Sequence, residues 1–220
     1  MKKCIILITM LAFIVSLGAI IDENHKLTQA HTIRTAYTLN KGEWIIGIGP
    51  LSYGINDNFE VGTDMLADIF MVLNAYGKYS IIDKSKIAVA ASGTFIRFSI
   101  GNDNFNSIGI GGHVTVPLDE KMKLHTGANI SIIPDFKIDD VEYEGGVGAG
   151  TEIPLEIEYM FNEHNVLLGG VAYDLTFKSY SVGVSYLLSW TKFNLQLGGS
   201  FTGGDGWTYL APVIGIWWRF

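Results

Sequence analysis

Residues 192–201 read KFNLQLGGSF. Phe193, Leu195, Leu197 and Phe201 fall on one face of an extended chain, and Lys192, Asn194, Gln196 and Ser200 on the other. Successive side chains of a β-strand point to opposite faces, so this period of two marks a strand with one apolar and one polar side. The pattern recurs. Ile153, Leu155, Ile157 and Tyr159 oppose Glu152, Glu156 and Glu158. Leu124, Ala128, Ile130 and Ile132 oppose His125, Asn129 and Ser131. Ile108, Ile110, Val114 and Val116 oppose His113 and Thr115, and Val182, Val184, Tyr186 and Leu188 oppose Ser181, Ser185 and Ser189. No segment keeps a helical stripe, apart from a short turn around Asp68–Leu73.

Strand length narrows the fold. Each alternating run has about ten residues, against about five or six in soluble sheets and roughly 9–11 for a tilted strand crossing a bilayer. Charged residues are 17% of the chain, below the roughly 25% of soluble domains. Beyond residue 21 there is no apolar run long enough for a spanning helix. The apolar surplus is spread over strands, which in lipid must close on themselves so that every backbone group is paired. The expected fold is therefore all-β: a closed antiparallel transmembrane β-barrel, apolar outside and polar within. A soluble lipocalin-like barrel would show the same alternation with its faces exchanged.

The first residues read as an address. MKK followed by CIILITMLAFIVSLGAI has the layout of a secretory signal. This divides the chain into a signal peptide over 1–19, a short periplasmic segment over 20–30 and a barrel domain over 31–220; an uncleaved anchor helix is the rival reading. Cys4 is the only cysteine, so a chain without the signal has neither disulfides nor thiol chemistry. Loss of Lys2 and Lys3 takes the net charge from −7 to −9. An acidic chain without a basic block argues against nucleic acid as a partner, and no motif implies a cofactor.

Short and long links alternate. The short ones lie at 56–58, 83–85, 118–120, 161–164 and 190–191, and the long ones at 67–72, 99–106, 133–148, 174–179 and 202–207. Short periplasmic turns and longer outer loops are the habit of outer-membrane barrels. The expected strands are 31–39, 43–53, 58–66, 73–82, 86–98, 107–117, 121–132, 149–160, 165–174, 179–189, 192–201 and 209–220. That makes twelve; without a strand at 31–39 and the 40–42 link, ten is the alternative.

The last eight residues, VIGIWWRF, place Ile214, Ile216, Trp218 and Phe220 on one face. With Gly215, Trp218 and Phe220, this stretch resembles the C-terminal β-signal read by the bacterial outer-membrane assembly machinery. Val213 departs from it where a polar residue is common. The resemblance implies an outer-membrane protein whose partners are the bilayer and that machinery. GEWIIGIGPLSYGINDNFEVGT, 42–63, resembles the opening hairpin of small outer-membrane barrels, some described as transporters. It implies no catalytic residues.

The residues expected to line the lumen and set selectivity are Glu60, Asp64, Lys78, Arg97, Glu152, Glu156, Glu158, Lys192 and Arg219. The acidic row on 151–160 would favour cations, unless it pairs with Lys78, Arg97 and Lys192 to fill the lumen. A hairpin centred on Asp119 would set His113 opposite His125, an incomplete site for zinc or copper. The acidic 134–146 loop matches no calcium-binding loop and reads as a solvated outer loop. The expected function is a passive pore or transporter for an unknown small solute, preferring cations and not an enzyme. A structural or adhesive barrel with a plugged lumen and a lipid-modifying enzyme are the alternatives. For the last, no Gly-x-Ser-x-Gly and no local His–Ser grouping appears.

Overall fold

The computed structural model of the protein describes residues 35–69, 72–84, 86–100, 103–138, 141–148, 151–190, 192–204 and 206–220. The expected signal, the 20–30 segment and the start of the expected first strand lie outside the described residues.

In chain order the elements are β1 (Trp44–Ile48), β2 (Pro50–Asn56), β3 (Phe59–Asp64), helix α1 (Met65–Ile69), β4 (Val72–Lys84), β5 (Ile87–Ile100), β6 (Asp103–Pro117), β7 (Met122–Ile133), β8 (Phe136–Ile138), β9 (Val141–Tyr143), β10 (Gly146–Val147), β11 (Glu152–Asn162), β12 (Asn165–Asp174), β13 (Ser179–Ser189), β14 (Phe193–Gly204) and β15 (Trp207–Arg219). β8 and β9 form a small hairpin in the long 133–148 link, and β10 adds two residues to the end of β7. Among the described residues the other twelve strands close into one up-and-down antiparallel barrel. Closure joins the first strand to the last: the Trp44 N–H donates to the Phe220 carbonyl at 3.0 Å, and the Phe220 N–H to the Trp44 carbonyl at 2.9 Å.

Burial decides between lipid and water outside. Glu60, Lys78, Lys123, His125, Glu158, Asn194 and Gln196 are buried, Glu158 to 1% exposure. Ile110, Ile130, Leu155, Val184, Leu197 and Ile214 are exposed, Ile110 to 65%. A soluble barrel would reverse these faces. Aromatic side chains gather at the short-turn end: Trp44 on Tyr53 at 4.4 Å, Trp190 on Phe193 at 5.3 Å, and Phe193 beside Trp218 at 5.2 Å. At the other end Tyr180 meets Phe201 at 6.2 Å. Tyr180 and Trp190 share the outward face, about 33 Å apart along the strand. At a tilt of about 40° that is a height of about 25 Å, the height of a barrel's apolar band. This is a transmembrane barrel. No helix among the described residues is long and apolar enough to cross a membrane; the strands cross it.

The count of twelve holds, but the first strands differ from expectation. Residues 35–39 are not a strand; they lie buried inside the barrel. The expected strand 43–53 is two strands, because Gly49 adopts a left-handed φ of 112° and Pro50 follows it, reversing the chain. Alternation in 35–39 misleads because a lumen-filling segment also has two unlike sides. The short turn expected near 68–73 is realised slightly earlier, as α1.

The lipid face is testable at its midpoint. Val184 lies between the two aromatic levels and is exposed. Val184→Arg should lower the unfolding free energy in lipid vesicles by about 2–4 kcal/mol, read from urea titration of the refolded protein. An unchanged value would mean that this face meets water.

Candidate functional site

The lumen is built from the inward parity of each strand, and its two halves differ. Towards the short turns it carries charge. Lys78 lies opposite Glu60 across β3 and β4, with Nζ 3.1 Å from Oε1. The Tyr76 hydroxyl reaches the same carboxylate at 3.3 Å and is bonded to Ser52 at 2.7 Å. Lys123 lies opposite Glu158 across β7 and β11, at 3.4 Å, and His125 Nε2 is 3.5 Å from the same carboxylate. His125 Nδ1 is 3.0 Å from the Thr115 hydroxyl. That hydroxyl accepts the Ala36 N–H and is placed to donate to Nδ1, so the imidazole proton belongs on Nε2, facing Glu158.

Between these two ion-pair clusters runs the N-terminal segment 35–39. The Ala36 N–H donates to Thr115 Oγ1 at 3.0 Å, and the Leu39 N–H to Glu60 Oε2 at 2.8 Å. The Thr38 hydroxyl donates to the Asp57 carbonyl at 3.1 Å. The Lys123 ammonium stands 5.1 Å from the centre of the Tyr37 ring, within cation–π range. Leu39 joins Ile45, Val166, Leu168, Leu187 and Trp217 in an apolar cluster, and Ala36 and Tyr37 meet Ala88 and Ala90. The chain leaves the lumen past Gly54, where a Cβ would overlap the Asn40 carbonyl oxygen. Glu43 at the exit pairs with Arg219. Thus the short-turn half of the lumen is filled by the protein's own chain.

The long-loop half carries small side chains, among them Ser92, Ser107, Ala172, Ser181 and Ser200, together with the larger Glu152, Glu156, Phe105 and Tyr209. One polar node stands out. Ser92, Gly111 and Asn129 face one another across β5, β6 and β7. Ser92 Oγ is 2.8 Å from His113 Nε2. A Cβ on Gly111 would collide with both Asn129 Oδ1 and Ser92 Oγ, so its absence lets the three side chains converge. At the rim, Asp64 caps α1 through the Ala67 N–H at 3.1 Å. Ala67 packs on Val72, Ile96 and Phe105.

The barrel is similar to solved structures of the KdgM porin, alone and in complex with disordered oligogalacturonate. Each match has a TM-score of 0.50 at 10% identity and covers 81% of this chain and 96% of that chain. At that identity the likeness is one of fold. No family model and no curated protein matches the chain.

The expected lumen residues separate into groups. Glu60, Lys78, Glu158 and Arg219 come together in the charged half. Glu156, opposite His125, and Glu152, opposite Asn129, also point inward. Asp64 serves the helix cap. Arg97 is exposed and sits opposite the outward-facing Leu73, so the lumen does not hold it. Lys192 is exposed at a short turn, its ammonium 5.3 Å from the centre of the Phe220 ring. The histidines are not opposite each other: the register pairs His113 with Gly127 and His125 with Thr115. Among the described residues no group of three His, Cys, Asp or Glu is arranged for a metal ion. Trp218 and Phe220 face outward, and Gly215 inward. Lys123, Thr115 and Trp217 were missed, although each shares parity with a residue assigned to the lumen. Tyr37 and the Ser92–His113 contact had no signal, because both depend on distant strands meeting.

Glu158 faces the buried Lys123 ammonium and the Nε2 side of His125. Removing one member of such a cluster leaves the others uncompensated. Glu158→Gln should therefore destabilise the folded barrel by about 3–5 kcal/mol. Adding Lys123→Met should recover most of that loss. A double-mutant cycle in urea checks this; strictly additive losses would mean that the pair is not coupled.

Proposed function

We propose that the protein is an outer-membrane passage for small solutes whose short-turn half is closed by its own N-terminal segment. The observation that carries this is the seating of residues 35–39. They are held by a few hydrogen bonds, from Ala36 to Thr115 and from Leu39 to Glu60, and by side-chain packing. Eight-stranded barrels are filled by side chains, whereas sixteen or more leave an aqueous channel. A twelve-stranded lumen lies between, wide enough to need a separate filler and, with that filler displaced, to pass a small molecule. The small residues of the long-loop half are consistent with a vestibule above the plug.

The outer-membrane location rests on the fold, on the signal-like start and on the resemblance of the last strand to the assembly signal. Trp218 and Phe220 face outward, where a recognition tag would be read. Glu152 and Glu156 also point inward on β11, and any cation preference is to be sought at that acidic row. The solute is a small molecule taken without a cofactor. The same plug supports a second reading, a structural barrel with a permanently closed lumen. A lipid-modifying enzyme is a third reading, and Ser185 and Ser189 are poor nucleophiles for it because they bond to Gln196 and Asn194.

Single-channel recording separates these readings. The intact protein should show rare, small openings in a planar bilayer. A variant lacking residues 20–39, verified as a folded barrel, should show stable steps with at least several-fold higher conductance. Charge reversal by Glu156→Lys should shift its reversal potential towards anions. A folded deletion variant without conductance would leave the structural barrel as the better description.

A further inference from the structure

The long-loop mouth of the barrel is asymmetric. β3 ends at Asp64, whose backbone is held by the Asn74 side chain: the Asp64 N–H donates to Asn74 Oδ1 at 2.7 Å, and Asn74 Nδ2 donates to the Asp64 carbonyl at 3.0 Å. Asn74 lies opposite Ile96, and Ile96 opposite Ser107. From that row β5 runs on to Ile100, and β6 begins at Asp103. The wall of β5 and β6 therefore continues roughly 13 Å along the strands beyond the end of β3. α1 follows Asp64 directly, beside this taller wall.

Strand parity tells on which side of the wall α1 lies. Val72, Asn74 and Lys78 share one face of β4, and Lys78 pairs inside the lumen with Glu60. Ile96 shares the parity of Ser92 on β5, and Phe105 that of His113 on β6, so Val72, Ile96 and Phe105 also point inward. Ala67 of α1 is only 2% exposed; it forms an apolar core with Val72, against which Ile96 and Phe105 pack. A helix on the lipid side could not cover these residues. α1 is also tied in place. Asp68 Oδ2 accepts the Thr63 hydroxyl at 2.8 Å, Asp68 Oδ1 accepts Asn74 Nδ2 at 3.1 Å, and the Met65 N–H donates to the Gly49 carbonyl. At 100° per residue, Met65 and Ile69 share the face turned away from Ala67. Both are exposed, Ile69 to 69%.

We infer that α1 is a fixed aperture inside the long-loop mouth, and that Met65 and Ile69 set the size of solute admitted to the vestibule. The small Ala67 lets the helix lie close against the wall, and the large apolar side chains on its other face narrow the opening. An apolar edge offers neither charge nor hydrogen bonds, so it selects by bulk. This barrier stands in series with the 35–39 plug, at the opposite end of the lumen. As a step in solute passage it rests on the function proposed above; as a constriction of the mouth it does not.

Thiol labelling of the folded protein in lipid nanodiscs tests the aperture with the plug in place. Ser200→Cys in a chain carrying Cys4→Ser puts a single thiol on the vestibule wall, and Lys178→Cys puts one in the exposed 174–179 loop as a control. Two quaternary-ammonium methanethiosulfonates of equal charge, one small and one bulky, are compared by mass spectrometry. At position 178 their rates should agree within twofold; at position 200 the bulky reagent should be at least tenfold slower. Equal rates at position 200 would overturn the constriction. Ala67→Glu, which puts a carboxylate on the apolar seat, should abolish the difference. Ile69→Trp, at an exposed position that leaves the seat intact, should slow the small reagent at least threefold. Rates unmoved by Ile69→Trp would mean that α1 does not form the aperture. In the variant lacking residues 20–39, Ile69→Trp should also lower the unit conductance at least twofold, and an unchanged conductance would overturn α1 as a barrier to solutes. A silent deletion variant would count against the passage reading alone, and the thiol rates would still decide the aperture.

Discussion

Hydrocarbon offers nothing to a backbone N–H or C=O, so a sheet that crosses a membrane must satisfy itself. In this protein that requirement is met by joining Trp44 to Phe220. Once the first and last strands are bonded, the remaining strands follow as a meander of neighbours. Alternation then has one consequence throughout: each apolar face turns to lipid and each polar face turns inward. The aromatic residues at the turns and the charged pairs in the lumen both descend from that closure.

Turning polar faces inward creates a second problem. Carboxylates and ammonium groups removed from bulk water need partners. Glu60 and Lys78 pair across β3 and β4, and Lys123, His125 and Glu158 across β7 and β11. The segment 35–39 is woven into both clusters, so charge pairing and closure of the lumen are one arrangement. The Leu39 N–H supplies Glu60 with a donor from the plug, and the Tyr37 ring lies under the Lys123 ammonium. Displacing the plug would expose apolar surface on Leu187 and Trp217 and remove a donor from a buried carboxylate. Opening such a lumen therefore needs a driving interaction.

Much of the wall is legible in the amino-acid sequence. The faces assigned to Phe193–Phe201, Ile153–Tyr159 and Val182–Leu188 are those observed, because strand parity is a local property of the chain. Register was less legible. The β6–β7 hairpin is centred on Glu120 rather than Asp119, which moves each residue's partner by two and separates His113 from His125. Turn geometry sets that shift, and Asp119 Oδ1 accepts from the N–H groups of Lys121 and Met122. Arg97 was placed inside because a charge on a strand suggests a lumen. Near the end of a long strand an outward charge escapes the apolar band, so the inference fails there.

The amino-acid sequence by itself determined that this is a β-barrel with an apolar exterior, that it has about twelve strands, and which side chains share a face. Those properties follow from a period of two and from strand length, which neighbouring chain alone encodes. Only the tertiary structure decided that residues 35–39 enter the lumen and that Gly49 splits one expected strand in two. It also decided that Ser92, His113 and Asn129 meet over Gly111. Each of these depends on which distant segments come together when the barrel closes, and an alternating pattern reads the same whether its partner is another strand, a lumen wall or water.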